Sequence, residues 1–211
     1  MGQSNVDVGV FQETNITYGI YTRGSAGYKV VATLAPSWRR GNVALFYWDP
    51  PDFAVEVIRQ FDATVIACQL ETGNRRWYII GCYLAPGDDT TILDVEAAMA
   101  ERLMGKELIF AGKFNVDLEK TGGWGRDKEI AAAVVMAGLE DLAGHFLLRR
   151  RACFKDRRMW EVVSQGKVVR YQTEYILGSE RRIFQNMAVR DLRQKSDHIM
   201  VLGCLRGASP I

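Results

Sequence analysis

Two short stretches of this 211-residue chain place a carboxylate directly beside an apolar run, where it could do chemistry. Glu13 follows the apolar segment 6–11, and a carboxylate at the end of a buried strand is well placed to hold a hard cation such as Mg²⁺. Asp197-His198 stands just before a second apolar segment. A carboxylate beside an imidazole offers a metal ligand or an orienting group, together with a hydrogen-bond donor to a phosphoryl oxygen.

A third stretch carries a cation and an amide after an apolar run. Residues 108–115 read Leu-Ile-Phe-Ala-Gly-Lys-Phe-Asn. On an extended segment, residues two apart face the same way, so Lys113 and Asn115 are expected to point together into any cleft. The amide could hold a phosphate oxygen or an attacking water. Taken alone, Glu13 also fits an ordinary surface residue at the end of a strand.

Periodicity predicts many strands and two helices around these residues. Val, Ile, Tyr and Phe are enriched in runs punctuated by Gly, Pro, Asn and Asp. The predicted strands are Val6–Gln12, Lys29–Leu34, Asn42–Trp48, Ala63–Leu70, Trp77–Tyr83, Glu107–Ala111, Tyr175–Leu177 and His198–Cys204. Spacing close to 3.6 residues predicts helices over Thr90–Met104 and Asp127–Ala137, the second ending at Gly138. Asp52–Arg59 fits a short strand or a turn, and Glu71–Arg75 fits a hairpin loop.

This pattern predicts one α+β domain over residues 1–211, built as a two-sheet β-sandwich flanked by helices. No apolar run reaches 18 residues and the first residues lack the features of a signal peptide, so we expect an intracellular protein, cytoplasmic or nuclear, with no membrane partner. The four cysteines form no C-x-x-C pair, and only two histidines are present, so a zinc site is not expected. Cysteines in apolar runs are expected to be small buried hydrophobes.

The charge is unevenly distributed along the chain. The net charge is only +2, yet residues 145–211 carry 14 basic and 6 acidic residues, and residues 1–144 carry an acidic excess. A basic end on a near-neutral protein points to a polyanionic partner, and a solvated surface is the alternative. The densest basic cluster could contact a nucleic-acid backbone with little sequence information. Its members are Arg149, Arg150, Arg151, Lys155, Arg157 and Arg158.

In order along the chain, these motifs resemble the endonuclease/exonuclease/phosphatase superfamily, and in particular the apurinic-type endonuclease domain of non-LTR retrotransposons. The resemblance covers nearly the whole chain. It rests on Gln12-Glu13-Thr14, on Gly81-Cys82-Tyr83, on Gly112-Lys113-Phe114-Asn115 where the family reads Gly-Asp-Phe-Asn, and on Ser196-Asp197-His198. It implies the DNase I-like fold and cleavage of a phosphodiester by water with a divalent metal, Mg²⁺ or Mn²⁺.

The resemblance also implies roles for individual residues. Glu13 and Asp197 match metal-binding carboxylates, and Tyr83 matches the tyrosine that contacts the phosphate. Asn115 matches the motif asparagine, and His198 matches the histidine that stabilises the phosphoryl charge. A further residue, Glu174, falls where the family has an aspartate that orients this histidine.

Three departures from the family alter what is expected of the site. Lys113 replaces the motif aspartate, and a lysine about 5 Å from a dication would repel it by several kcal/mol at an effective dielectric of ~20. Glu174 is one methylene longer than the expected aspartate. The chain also opens at the family's second strand, so the first strand and helix, with an asparagine of the metal site, are expected to be missing.

Three functions are therefore open. We favour a degenerate retrotransposon-type endonuclease, a pseudonuclease that binds a nucleic-acid backbone with little or no cleavage and holds Mg²⁺ weakly. DNA is the expected partner and RNA the alternative. The second possibility is an active Mg²⁺-dependent DNA endonuclease that nicks its substrate. The third is a repurposed interaction protein that keeps only the fold. The sequence does not determine the oligomeric state.

Overall fold

The structure is a computed structural model that describes residues 8–12, 28–33, 42–48, 54–61, 64–72, 75–85, 107–116, 118, 125–142, 160–164, 167–171, 174–191 and 199–205. The chain divides into two compact units, residues 1–114 and 115–211. A single domain over residues 1–211 stays a prediction.

Three strands of the first unit form an antiparallel sheet. They are β1 (Val8–Gln12), β2 (Tyr28–Ala32) and β3 (Val43–Trp48), and β3 lies between the other two. Leu45 of β3 stands opposite Val10 on one side and Val31 on the other. These side chains are rich in β-branched and aromatic groups, which pack well on a pleated surface. The predicted strands over these residues are confirmed.

Four further strands of the first unit lie side by side. They are β4 (Ala54–Phe61), β5 (Val65–Thr72), β6 (Arg75–Tyr83) and β7 (Glu107–Lys113), in that order. The first three are antiparallel, whereas β6 and β7 run parallel. Parallel neighbours need a crossover connection, which residues 84–106 supply. The helix predicted over Thr90–Met104 falls in this connection and lies outside the described residues.

The two groups of strands pack face to face at a glycine. A Cβ added to Gly81 of β6 would lie 2.8 Å from a Val10 methyl and 2.9 Å from a Val43 methyl. Both distances are shorter than a carbon–carbon contact allows, so β1 and β3 approach β6 too closely for any side chain there. The first unit is therefore a two-layered β-structure, with large side chains such as Leu45, Ile66 and Trp77 fully buried.

The second unit contains one described α-helix, α1 (Arg126–Met136), which confirms the helix predicted over Asp127–Ala137, and a short 3-10 helix, Arg181–Ile183. Ile130 and Val134, one turn apart, are the buried residues of α1. The helix stops where predicted, because Gly138 adopts the left-handed conformation with φ 62°. Asp127 and Glu129 lie in the first turn, where carboxylates stabilise the helix dipole.

The strands of the second unit form antiparallel pairs. Its strands are β8 (Glu140–Asp141), β9 (Trp160–Ser164), β10 (Lys167–Tyr171), β11 (Glu174–Gly178), β12 (Phe184–Asp191) and β13 (Ile199–Leu205). The pairs are β9 with β10, β8 with β11, and β12 with β13. Sequence patterns predicted β11 and β13 and missed the other four.

Other sequence predictions are settled by the strand boundaries. Asp52–Arg59, for which strand and turn were both open, belongs mostly to strand β4. The predicted hairpin is confirmed but is tighter than expected, because only residues 73 and 74 separate β5 from β6. Over the part of the chain that is described, no helix combines the length and apolar character needed to cross a bilayer.

Candidate functional site

Tyr83 and Lys113 are brought together at the ends of two neighbouring strands. They are the last residues of β6 and β7, and they stand opposite each other in the parallel register. Their side chains project from the same face, since partners across a ladder share the direction of the pleat. Lys113 is only 8% exposed and Tyr83 only 5%. The sequence motifs that contain these two residues are thus joined by strand pairing.

The face that carries them is the inner face between the two layers of the first unit. Gly81 lies two residues before Tyr83, and its missing side chain would point at Val10 of β1. Because side chains alternate along a strand, Tyr83 projects to the same side as this direction. Ala111 stands opposite Gly81 and bears the same relation to Lys113. The Lys113 side chain is therefore rooted inside the layered structure.

A second glycine fixes the approach of β6 and β7 one residue before this pair. A Cβ added to Gly112 would lie 2.1 Å from the carbonyl oxygen of Cys82 and 2.7 Å from its sulfur. No side chain fits at that distance, so the glycine of the Gly-Lys-Phe-Asn motif is required by packing. Beyond the pair the chains stay joined, since the Leu84 N–H donates to the Lys113 carbonyl oxygen at 2.8 Å.

Thr64 extends the pair into a row of three residues, which no sequence motif indicated. The Tyr83 N–H donates to the Thr64 carbonyl oxygen at 2.8 Å, so the ladder between β5 and β6 continues to Thr64. Ile66 stands opposite Gly81, and Thr64, two residues before it, shares the inner face. We call Thr64, Tyr83 and Lys113 the strand-end row. Only the pairing of β5 with β6, which the predicted hairpin implies, could have linked Thr64 to the other two residues.

The Thr64 hydroxyl is buried and has no hydrogen-bond partner among the described residues. The residue is 6% exposed. Buried hydroxyls in folded proteins almost always have a hydrogen-bond partner, so a hydroxyl without one needs an explanation.

Asn115 does not follow the extended geometry that the sequence suggested. Strand β7 ends at Lys113, and Asn115 has a φ of 49°, in the left-handed region. Asparagine tolerates this conformation better than most residues because its short polar side chain can bond locally. The extended geometry on which that prediction rests therefore ends before Asn115, and the expectation that its side chain points with that of Lys113 stays a prediction. Between them Phe114 is fully buried, and its ring centroid lies 5.4 Å from that of Phe110.

Glu174 is the first residue of β11. The residue after it, Tyr175, is buried, and its hydroxyl accepts a hydrogen bond of 2.9 Å from the Leu118 N–H. The start of β11 is thus tied to the segment that follows Asn115 and Val116. The expected role of Glu174 in orienting His198 stays a prediction.

Several predicted site residues lie outside the described residues. Glu13 directly follows the last residue of β1, and His198 directly precedes the first residue of β13, with Asp197 before it. The basic cluster of residues 149–158 lies between α1 and β9. The roles of all these residues stay predictions.

The buried thiols of strands β5 and β6 are unreactive at neutral pH. Burial raises the pKa of Cys82 well above its usual value, and burial raises the pKa of Cys68 to about 12, against a smaller opposing effect of its bond to the Ile79 carbonyl. Both therefore stay protonated at neutral pH and are not nucleophiles. The prediction that cysteines in apolar runs are buried is confirmed for these two.

The chemistry of the strand-end row does not fit a divalent cation. Its side chains are a hydroxyl, a phenol and an ammonium group, which can all donate hydrogen bonds, and it contains no carboxylate. Mg²⁺ prefers oxygen ligands that include carboxylates. Among the described residues, no group of three or more His, Cys, Asp or Glu could hold a metal ion. The row is suited to an oxyanion.

Searches with the sequence find no matching family model and no matching curated protein. Comparison of the structure with solved structures does find similar folds. The endonuclease domain of TRAS1, a telomere-specific non-LTR retrotransposon, superimposes with a TM-score of 0.65 at 15% identity, over 85% of this chain and 80% of that domain.

Two further solved structures have the same architecture. An AP endonuclease from Archaeoglobus fulgidus has a TM-score of 0.63 at 12% identity, over 95% of this chain and 89% of its own. D. rerio TDP2, solved with a single-strand DNA product, has a TM-score of 0.55 at 16% identity, over 85% and 77% of the two chains. The protein thus has the DNase I-like α+β fold of endonuclease/exonuclease/phosphatase-type proteins, a nuclease-like fold, as its sequence motifs predicted.

Proposed function

We propose that this protein is a pseudonuclease, a DNase I-like protein that binds a nucleic-acid backbone with little or no cleavage. The observation that carries the proposal is the position of Lys113. Its side chain is buried on the inner face of the layered first unit, beside Tyr83. In the family that the motifs resemble, this position belongs to an aspartate and the neighbouring tyrosine contacts the phosphate.

The exchange of a carboxylate for an ammonium group changes the charge at this position by two units. A bound Mg²⁺ or Mn²⁺ ion ~5 Å away would be repelled by several kcal/mol at an effective dielectric of ~20, so metal binding is weakened. A phosphate oxygen would be attracted by the same group without any metal. An ammonium group has no lone pair to accept a proton, so it cannot replace the aspartate in activating water.

The expected ligand is the backbone of DNA, with RNA as the alternative. The D. rerio TDP2 structure of similar fold contains a single-strand DNA product, which supports nucleic acid as the class of ligand. The basic residues Arg149, Arg150, Arg151, Lys155, Arg157 and Arg158 would add phosphate contacts. Such contacts release counterions, so the affinity should fall steeply as the salt concentration rises.

The proposal is tested by measuring binding and cleavage on the same protein. A labelled DNA duplex is titrated in EDTA, and supercoiled plasmid is incubated with Mg²⁺ or Mn²⁺. We expect binding in EDTA and no nicking. Lys113→Met, which removes the charge and keeps the length of the side chain, should lower the affinity about tenfold or more, as expected for a lost bond to a charged group.

Matched controls separate this effect from net charge and from residual activity. Lys128 is an exposed lysine in the first turn of α1, and Lys128→Met should change the affinity less than twofold. Nicking by the unaltered protein that disappears in His198→Ala would establish the active endonuclease instead. Absence of both binding and nicking would leave a protein that keeps only the fold.

The same assay addresses whether one substitution can restore cleavage. We expect Lys113→Asp to bind DNA more weakly than the parent, because the substitution replaces a cation with an anion, and to nick it little. Strong nicking by Lys113→Asp would contradict that expectation.

A further inference from the structure

We infer that the Thr64 hydroxyl is a binding group of this protein, the third donor of an oxyanion site formed with Tyr83 and Lys113. The inference rests on the proposed function, which assigns phosphate binding to the position of Lys113. It adds a residue that no motif contains and predicts that the site works without metal. The ligand class is a phosphate group, either free or in a nucleic-acid backbone.

The first argument is the unused hydroxyl. Thr64 is buried, and its Oγ1 bonds to no described residue, including its neighbours in the strand-end row. A buried hydroxyl without a partner destabilises a fold, so the presence of a threonine at this buried position needs a reason. A ligand that accepts a hydrogen bond from it supplies one. Threonine differs from the nearly isosteric valine only in this hydroxyl, so packing alone does not require it.

The second argument is that the hydroxyl lies beside two other hydrogen-bond donors. Neighbouring strands lie about 4.8 Å apart, so the three side chains of the row arise within about 10 Å along one edge of the inner face. The phenol and the ammonium group sit on long side chains that can converge on an anion near the short threonine. Charge-assisted hydrogen bonds to an oxyanion are about twice as strong as neutral ones.

The indole N–H of Trp77, another buried donor, lacks this setting. The Trp77 side chain is fully buried and its Nε1 makes no bond to the described residues. Trp77, however, stands opposite Leu70 and Glu107, six residues along β6 from Tyr83. An acidic residue opposite Trp77 does not favour an anion, whereas the donor of Thr64 shares its row with the cation of Lys113.

The test compares two buried threonines. Thr64→Val removes the unused hydroxyl, whereas Thr33→Val removes a hydroxyl that donates to the Val43 carbonyl at 3.2 Å and accepts from the Val43 N–H at 3.0 Å. We expect Thr64→Val to bind the DNA duplex in EDTA about tenfold more weakly and to melt about 2–4 °C higher without ligand. Thr33→Val should melt lower and keep its affinity.

Thr64→Ser supplies the rescue, because it restores a hydroxyl at the same position and should bind within about threefold of the parent. Inorganic phosphate and the DNA duplex are the two probes. A melting temperature raised by phosphate in the parent but not in Thr64→Val indicates a site for the free anion. An effect seen with DNA alone indicates a site for the backbone. Either result supports the oxyanion site.

The outcomes that overturn the inference differ from those that overturn the proposed function. If the parent binds DNA in EDTA and Thr64→Val binds equally well, the hydroxyl is not a binding group and the proposed function stands. If Thr64→Val melts lower than the parent, the hydroxyl has an internal partner and the inference is wrong. If the parent binds neither DNA nor phosphate, the inference and the proposed function both fail.

Discussion

Two buried regions of the first unit handle polar groups in opposite ways. In the first, the corner between β2 and β3, both buried polar side chains are hydrogen-bonded. Thr33 bonds to both backbone groups of Val43, and the Asn42 side-chain amide donates to the Thr33 carbonyl at 2.6 Å. In the strand-end row, Thr64 keeps a hydroxyl that no described residue accepts from or donates to. We call the first region the closed corner.

The difference separates polar groups that serve the fold from those available to a ligand. Asn42 and Thr33 are fully buried, and their bonds replace the water that each group loses on folding. The strand-end row buries a hydroxyl and a lysine side chain, and the hydroxyl has no hydrogen-bond partner among the described residues. Sites that bind ligands commonly give up stability in this way, because their donors must stay available.

The largest effect is expected where the strand-end row is held in place. Gly112→Ala would set a Cβ against the Cys82 carbonyl, and backbone there cannot yield without separating β6 from β7. We expect the free energy of unfolding to fall by about 3 kcal/mol or more, measured by urea unfolding. DNA binding in EDTA should fall as well, because Tyr83 and Lys113 follow directly.

Gly125 provides the matched control for this substitution. It also resists a side chain, but only through its backbone, since its φ is 74° and a Cβ would meet open space. Gly125→Ala should cost about 1 kcal/mol and leave the affinity of the folded protein unchanged. Equal losses in the two variants would show that the close approach at Gly112 is not what fixes the row.

An intermediate effect is expected at the closed corner. Asn42→Ala removes a buried amide and leaves the Thr33 carbonyl without its donor. We expect a loss of about 2 kcal/mol in the free energy of unfolding, with unchanged DNA affinity at temperatures where the variant is folded. A loss of affinity with little loss of stability would erase the contrast between the two regions.

The smallest effect at neutral pH concerns the buried thiol of Cys68. Like the polar groups of the closed corner, this thiol contributes to the fold and is not available to a ligand. Its pKa is about 12 in the folded protein against 9.0 for an ordinary cysteine, since burial disfavours the thiolate. The folded state thus holds a proton that the unfolded state releases. The stabilisation is complete below pH 9.0 and is lost as the pH rises toward about 12.

Cys68→Ala removes this titrating group and isolates its contribution. Between pH 9 and 11, the stability of the parent should fall more steeply than that of the variant, by up to about 1.4 kcal/mol per pH unit. Urea unfolding over this range measures both slopes. Parallel slopes would mean that the thiol ionises equally well in the folded protein.

Sequence patterns were most successful where strands are uniformly apolar or regularly alternating. The strands β1, β3, β5, β6 and β7 were predicted with small shifts at their ends, because Val, Ile and aromatic residues dominate them. Strands β9, β10 and β12 were missed because charged and polar residues interrupt their patterns. Strand β8 has only two residues, too few for any periodicity.

The residues of the candidate site also divide into those that sequence motifs indicated and those that they did not. The motifs around Tyr83 and Lys113 could be read along the chain, because each lies at the end of an apolar strand. Thr64 could not, since its only relation to them is a backbone hydrogen bond to Tyr83 across β5 and β6. The left-handed turn at Asn115 was also beyond sequence reasoning, because asparagine permits that conformation without requiring it.

By itself, the sequence determined the fold class and the presence of a cation at position 113, since apolar periodicity and residue identity are properties of the chain alone. Only the tertiary structure decided that this cation is buried, that it faces the space between two layers and that a threonine hydroxyl shares its row. Burial and register depend on which strands pair and how closely they pack, and the close contacts at Gly81 and Gly112 belong to that packing.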